Sequence, residues 1–261
     1  MKNIYYYADP TGNITLLAPF PQDTANFSKE AARLMKLEPA AEQVGFLGSG
    51  GPGYDISLQM AGGEFCGNAT LSAAAVFYKN AGCRSDEAGM VYVSASGTAA
   101  PVPVRIMQTG GNTFKGTVSL PAPLELITAD FKCSGKDYSL PAVQFEGITH
   151  LLSFSPLQKE TAERIVKEQC IVLQADALGL IQIETETETL LPVVYVPKSG
   201  TLFWEGSCAS GTAAAGFYLR EICGPGKWEF TEPAGRLTIE APADGRLLLS
   251  GSVSVTAKKY P

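Results

Sequence analysis

The chain has one histidine, His150, no Cys-x-x-Cys pair among its six cysteines, and no basic run longer than Lys258-Lys259. Each shortage removes a class of function. With a single imidazole, a zinc site would have to gather thiolates from scattered positions, and Ser-His-Asp or Cys-His catalysis has only one candidate base. Metal and protease chemistry are therefore not expected. Six cysteines in 261 residues without an export signal read as free thiols rather than as a disulfide framework. Twenty basic residues against 26 acidic ones give a net charge of −6, which provides no electrostatic footprint for nucleic acid. The uncharged run 65–78 is rich in small residues and shorter than the roughly 20 residues of a membrane span. Residues 1–9 lack the apolar core of a signal peptide. The expectation is a cytoplasmic protein with no nucleic-acid and no membrane partner.

What is present is a chain that is 45% hydrophobic and 18% charged, enough for a sizeable core at the upper size limit of one domain. A break falls after the strand-like run 117–120, at Pro121-Ala122-Pro123, and divides the chain into halves 1–122 and 123–261. The first half reads as a hairpin (residues 4–7 and 14–17), a helix from an N-cap at Ser28 to Met35 or Leu37, and strands at 44–47 and 54–59. An alanine-rich helix follows Gly62-Gly63-Glu64-Phe65-Cys66-Gly67-Asn68-Ala69-Thr70 and ends near Gly82. The second half repeats this logic. Strands 192–196 and 201–204 lead into Glu205-Gly206-Ser207-Cys208-Ala209-Ser210-Gly211-Thr212 and a second alanine-rich helix ending near Ile222. In each copy the cysteine is followed four positions later by threonine and seven later by alanine. Each half also ends in a Gly-x-Val-Ser strand, at 116–119 and 251–254. The pattern predicts a duplication, with two α+β halves about a pseudo-twofold axis. The Glu-Thr alternation at 181–189 predicts a solvated edge strand or loop.

A thiol at a helix N-terminus meets unpaired N–H groups and the positive end of the helix dipole, both of which favour the thiolate. Cys66 and Cys208 are accordingly candidate bases, and the glycines beside them let backbone amides approach an anion such as a substrate carboxylate. If the halves face each other, one thiolate and one thiol on opposite sides of a carbon acid provide what stereoinversion needs. Simple packing is the alternative for any one cysteine, and it is the reading for Cys83, Cys133, Cys170 and Cys223. A redox pair is a further alternative. Neither glycine-rich segment has the Lys-Ser/Thr ending of a phosphate-binding loop.

These residues carry a resemblance. Glu64-Phe65-Cys66-Gly67-Asn68-Ala69-Thr70 and Cys208-Ala209-Ser210-Gly211-Thr212 resemble the two cysteine motifs of the diaminopimelate epimerase and proline racemase superfamily. Thr11-Gly12-Asn13, Gly147-Ile148-Thr149-His150 and Pro233-Ala234-Gly235-Arg236 are similar to further segments of that family in the same order. The resemblance implies an α+β fold of two pseudosymmetric halves, each a sheet wrapped around a central helix. It implies a racemase or epimerase without pyridoxal phosphate, with no cofactor, acting on a small-molecule amino-acid substrate. Cys66 and Cys208 would be the base pair. Asn13, Gly67, Asn68, Ser210, Gly211, Thr212, His150, Glu205 and Trp204 would line the substrate site. A homodimer stays open.

The departures bear on the substrate. Diaminopimelate epimerases carry a Glu-Arg pair before the second cysteine, whereas this chain reads Phe203-Trp204-Glu205-Gly206-Ser207, and the family's Gly-Asn-Pro-His asparagine is Ile148. Without the guanidinium a second carboxylate has no partner, so diaminopimelate is disfavoured. An uncharged or imidazole side chain, as in the related histidine racemases, suits an aromatic pair better, although residues alternating on a strand point only one of the two at a pocket. Rival expectations are diaminopimelate epimerisation itself, a proton-shifting isomerase of the phenazine-biosynthesis or methylitaconate type, a non-catalytic binding relative, and a thiol oxidoreductase.

Overall fold

The structure is a computed structural model that describes residues 4–21, 27–82, 87–198 and 200–259. The chain forms two compact units, one made of the residues up to Ser119 with those from Ser250 onward, the other Leu120–Leu249. Cys83 lies outside the described residues.

In the first unit, β1 (Ile4–Pro10), β2 (Thr15–Pro19), β3 (Gln43–Gly51), β4 (Tyr54–Met60), β5 (Gly89–Ala95), β6 (Val102–Gly110) and β7 (Thr113–Leu120) pair in chain order. The last strand of the chain, β16 (Leu247–Lys259), pairs with both β7 and β1 and closes the ring. The sequence reading had assigned these last residues to the second half. They join the first because β1 has a free edge there, and the antiparallel register runs from Ile4 opposite Lys259 to Pro10 opposite Val253. Both Gly-x-Val-Ser strands therefore belong to one unit, as neighbours, rather than closing two separate halves.

Helix α2 (Gly67–Asn80) packs against β1, β2, β4, β5 and β6, and every residue from Gly67 to Val76 is buried. A helix buried on all sides must be small and apolar, which is what the alanine run provides. Helix α1 (Phe27–Leu37) covers the other face, setting Ala31 and Leu34 against Tyr5, Leu16, Ala18, Val44 and Phe46. It begins one residue before the expected cap, so Ser28 lies in its first turn.

The second unit contains β8 (Glu125–Cys133), β9 (Lys136–Phe145), β10 (Ile148–Ser153), α3 (Lys159–Val172), β11 (Leu178–Glu184), β12 (Thr189–Val196), β13 (Thr201–Trp204), α4 (Ala209–Cys223), β14 (Gly226–Glu232) and β15 (Gly235–Ala241). The strand order is β8-β9-β10-β11-β12-β14-β15, with β13 on β12. Alternation along the strands separates two cores. Leu151, Leu178, Leu180 and Val193 pack with Ala162, Ile165 and Val166 of α3. His150 and Ile181 face the other way, toward α4. Residues 181–183 are thus buried in β11, with Ile181 and Gln182 paired to both β10 and β12, and Glu184 to Glu188 are exposed. With sixteen strands and four helices among the described residues, the fold is richer in sheet than the α+β expectation. No described helix is long and apolar enough to cross a membrane.

Gly216 shows how closely α4 lies on its sheet. A Cβ there would stand 2.5 Å from Ile239 Cγ2 and 2.6 Å from Cγ1. Helix propensity favours alanine over glycine by about 1 kcal/mol, while overpacking a close-fitting core costs about 1–3 kcal/mol. Packing outweighs propensity because the branched Ile239 side chain is fully buried and has little room to yield. Gly216→Ala is expected to lower stability by up to about 2 kcal/mol in a denaturant titration, despite adding a better helix former.

Candidate active site

At the start of α2, Cys66 is the N-cap residue with extended backbone (φ −133°, ψ 114°), and its Sγ accepts the Ala69 N–H at 3.4 Å. Thr70 returns two bonds to the Cys66 carbonyl, from its N–H at 2.9 Å and its hydroxyl at 2.8 Å. The preceding segment is held by the turn after β5. Ser96 Oγ donates to the Glu64 carbonyl at 2.8 Å, and a Cβ on Gly97 would lie 2.4 Å from the Phe65 nitrogen. Gly97 also has φ +73°, so glycine is needed there on both counts. Cys66 is half-buried, and Gly67 and Asn68 behind it are buried. Asn13 is elsewhere engaged: its amide donates to Glu42 Oε2 at 2.6 Å and accepts from Gln43 Nε2 at 2.5 Å. Burial raises the Glu42 carboxyl above its ordinary range, with the Asn13 bond opposing the shift.

Cys208 occupies the same place on α4, with φ −126° and ψ 101°. Thr212 repeats both bonds to the cysteine carbonyl, at 2.8 Å from its N–H and 2.9 Å from its hydroxyl. The surroundings of the thiol differ. Cys208 makes no side-chain cap bond and is only 5% exposed. Its backbone N–H donates to Glu232 Oε2 at 2.6 Å, and Thr212 Oγ1 also contacts Glu232 Oε1. Burial pushes the Cys208 thiol well up, and the Glu205 and Glu232 carboxylates add to this, Glu205 also by accepting the thiol proton in a hydrogen bond. At this cysteine burial and two nearby acids act against the helix dipole. Burial likewise pushes Glu232 up to about 8, against the lowering effect of its bonds from Thr212 and the Cys208 N–H.

His150 is fully buried, and burial lowers it to about 3, so the ring is neutral. Its Nε2 lies 2.9 Å from Ser210 Oγ, while Nδ1 has no hydrogen-bond partner among the described residues. An orphaned donor is costlier than an orphaned lone pair, so the favoured tautomer carries its proton on Nε2 and donates it to Ser210. The Ser210 hydroxyl proton is then available to Cys208 Sγ, 3.7 Å away. Ser210, Gly211, Thr212, Glu205 and His150 are all assembled around Cys208. A Cβ on Gly211 would lie 2.4 Å from Ile181 Cδ1, which fixes the helix start close to β11.

Comparison with known proteins places this arrangement. The profile of the family described as the histidine racemase CntK N-terminal domain matches residues 4–259. The chain belongs to that family. A histidine racemase of Fusobacterium nucleatum is 30% identical over 259 residues, covering 96% of this chain and 92% of that relative. Among solved structures, a predicted epimerase from Pseudomonas aeruginosa superposes with a TM-score of 0.70 at 15% identity, covering 98% of each chain. A probable proline racemase from Agrobacterium radiobacter does so with a TM-score of 0.66 at 12% identity, covering 99% of this chain and 91% of the other. The fold is of the epimerase and racemase type, and the protein is an isomerase, an amino-acid racemase.

Two expected roles do not survive in this racemase. Trp204 turns to α3, where its indole N–H donates to Glu163 Oε1 at 2.9 Å and its ring packs with the α3 core, so it is a packing residue. Phe203 is the aromatic on the other face, 43% exposed. It begins a cross-strand row, Phe203-Val194-Gly179-His150, that runs across the sheet on the α4 side. Cys223 is exposed rather than core, whereas Cys133 and Cys170 are buried as expected. Sequence reading missed Glu232. The available signal was alternation: Trp228, Phe230 and Glu232 share the inward face of β14, and an acid in that series is out of place.

The raised carboxyl has a consequence for stability. A group whose proton is held more tightly in the folded state stabilises fully below its unfolded value, here 4.5, and that contribution is lost as pH rises through about 8. Glu232→Gln removes the titration. Between pH 5 and pH 9 its stability relative to the wild type is expected to improve by about 4 kcal/mol, read from denaturant unfolding at each pH.

Proposed function

We propose that the protein is a histidine racemase that inverts the α-carbon by passing its proton between Cys66 and Cys208. The observation that carries this reading is the repeated cap: two extended cysteines, each one residue ahead of an alanine-rich helix, each tied through its carbonyl to the N–H and hydroxyl of the threonine four positions on. The two units are read as copies of one half, each built about a helix with a thiol at its start.

The reaction requires the two sulfurs to flank one substrate carbon. One cysteine, as thiolate, takes the α-proton to become a thiol, and the C–H electron pair moves onto the α-carbon and into the carboxylate as an enediolate. The opposite thiol delivers its proton to the other face and is left as thiolate. The product has the inverted centre, and the cysteines have exchanged protonation states, so the next turnover runs in the opposite sense. Free N–H groups at the two helix starts are the donors for the developing oxyanion. Burial and adjacent acids favour the thiol at Cys208, which assigns it as the resting proton donor and leaves Cys66 as the resting base.

Histidine is favoured as substrate for two reasons. The relatives from Fusobacterium nucleatum and Staphylococcus aureus that match almost the whole chain are histidine racemases. Phe203, at the exposed end of its row, offers a ring face to an uncharged imidazole.

The test is proton NMR of L-histidine incubated with reduced protein in D₂O. Loss of the α-proton signal with appearance of D-histidine on chiral analysis is expected. Cys66→Ser and Cys208→Ser are each expected to lower racemisation by at least about 100-fold, in the range of a lost acid–base group. Exchange of a different amino acid and not histidine would replace the substrate assignment, and full racemisation in either serine variant would sink the two-thiol mechanism.

A further inference from the structure

The two capped helices differ in one respect. At α2 the thiol caps its own helix, since Cys66 Sγ takes the Ala69 N–H. At α4 the thiol makes no such bond, and the helix start is held from outside by Glu232 of β14. This carboxyl is 2% exposed and sits at an inward position of its strand. The groups facing it are Cys208 and Thr212 of α4 and Glu205 from the segment before that helix. Among the described residues no basic side chain is bonded to it: Arg236 of β15 is bonded to Glu229 at the surface, and His150 of β10 is neutral.

Hydrogen-bond counting says which form fits. Thr212 has one hydroxyl proton, and its oxygen lies within bonding distance of both the Cys208 carbonyl and Glu232 Oε1. Both contacts are satisfied only when Oε1 carries a proton and donates it to Thr212, which then donates its own to the Cys208 carbonyl. Oε2 stays free to accept the Cys208 N–H. An ionised Glu232 would break this chain and place a full negative charge beside the thiol.

We propose that Glu232 is a positioning residue for Cys208: it anchors the cysteine end of α4, and its own gain or loss of a proton governs how readily the adjacent thiol ionises. The proposal rests on the reading of Cys208 as a proton-transfer residue, but the coupling itself can be measured without substrate. Glutamine at 232 copies the protonated carboxyl, since its amide N–H₂ replaces the acid as donor to Thr212 and its oxygen accepts the Cys208 N–H.

Thiolate formation is followed by ultraviolet absorbance during pH titration of the reduced full-length protein, and the step that disappears in Cys208→Ser is assigned to Cys208. In Glu232→Gln that step is expected to move down by about one pH unit, a tenfold larger thiolate fraction at any pH below the midpoint. An unmoved step would reduce Glu232 to a structural cap. If the variant fails to fold, the infrared spectrum of the wild type decides: a protonated carboxyl band at about pH 6 that is lost on raising the pH, and is unchanged in Glu42→Gln, supports the proposal, and its absence overturns it. Racemisation of histidine is assayed on the same preparations. A moved step without racemisation would remove the proposed function and leave the coupling standing, whereas racemisation with an unmoved step would remove only the coupling.

Discussion

The cysteine ends of α2 and α4 depend on how the N–H groups at the two helix starts are satisfied. A helix start inside a core must be satisfied by something: at α2 the Cys66 sulfur takes the Ala69 N–H, and at α4 the Glu232 carboxyl takes the Cys208 N–H. The threonine four residues on locks the cysteine carbonyl with two bonds, so the sulfur position follows from the helix position. The helix position in turn follows from small residues: alanines along α2 and α4, and glycines at 116, 211 and 216 where a methyl group would meet Leu71, Ile181 or Ile239. The placement of the two thiols is in this sense a result of close packing.

The same cap in two environments yields two different sulfurs. Cys66 is half-buried and spends its lone pair on a helix N–H. Cys208 is buried among carboxyls and keeps its proton. The proposed two-thiol reaction, which needs one acid and one base, is served by such inequality. The dipole argument, applied equally to both helix ends, treats them as alike because it omits desolvation, which is the larger effect at Cys208.

Much of this was legible in the amino-acid order. The paired Cys-x-x-x-Thr segments, the alanine runs and the glycine after α4 gave the helices and their caps, because local chemistry alone determines them. The strands read at 44–47, 54–59 and 192–196 lie within the longer β3, β4 and β12. What sequence could not supply were the long-range pairings. β16 returns to β1 across almost the full length of the chain, and only a free strand edge in three dimensions calls it there. The inward direction of Glu232 was visible in alternation, yet its meaning depends on Cys208, 24 residues earlier, arriving opposite. Trp204 and Phe203 are adjacent in the chain and serve opposite faces, so a motif that groups them merges a packing residue with an exposed one.

The imidazole of His150 lies in the space a side chain at residue 179 would occupy, with Nδ1 only 2.2 Å from where that Cβ would be. The two residues are direct cross-strand partners, so they behave as one shape divided between two strands. A smaller residue at 150 would open a void over Gly179, and any larger residue at 179 would evict the ring and with it the contact to Ser210. Substitutions at 150 and 179 are therefore coupled, since bulk added on one strand fits only where the other strand gives up the ring.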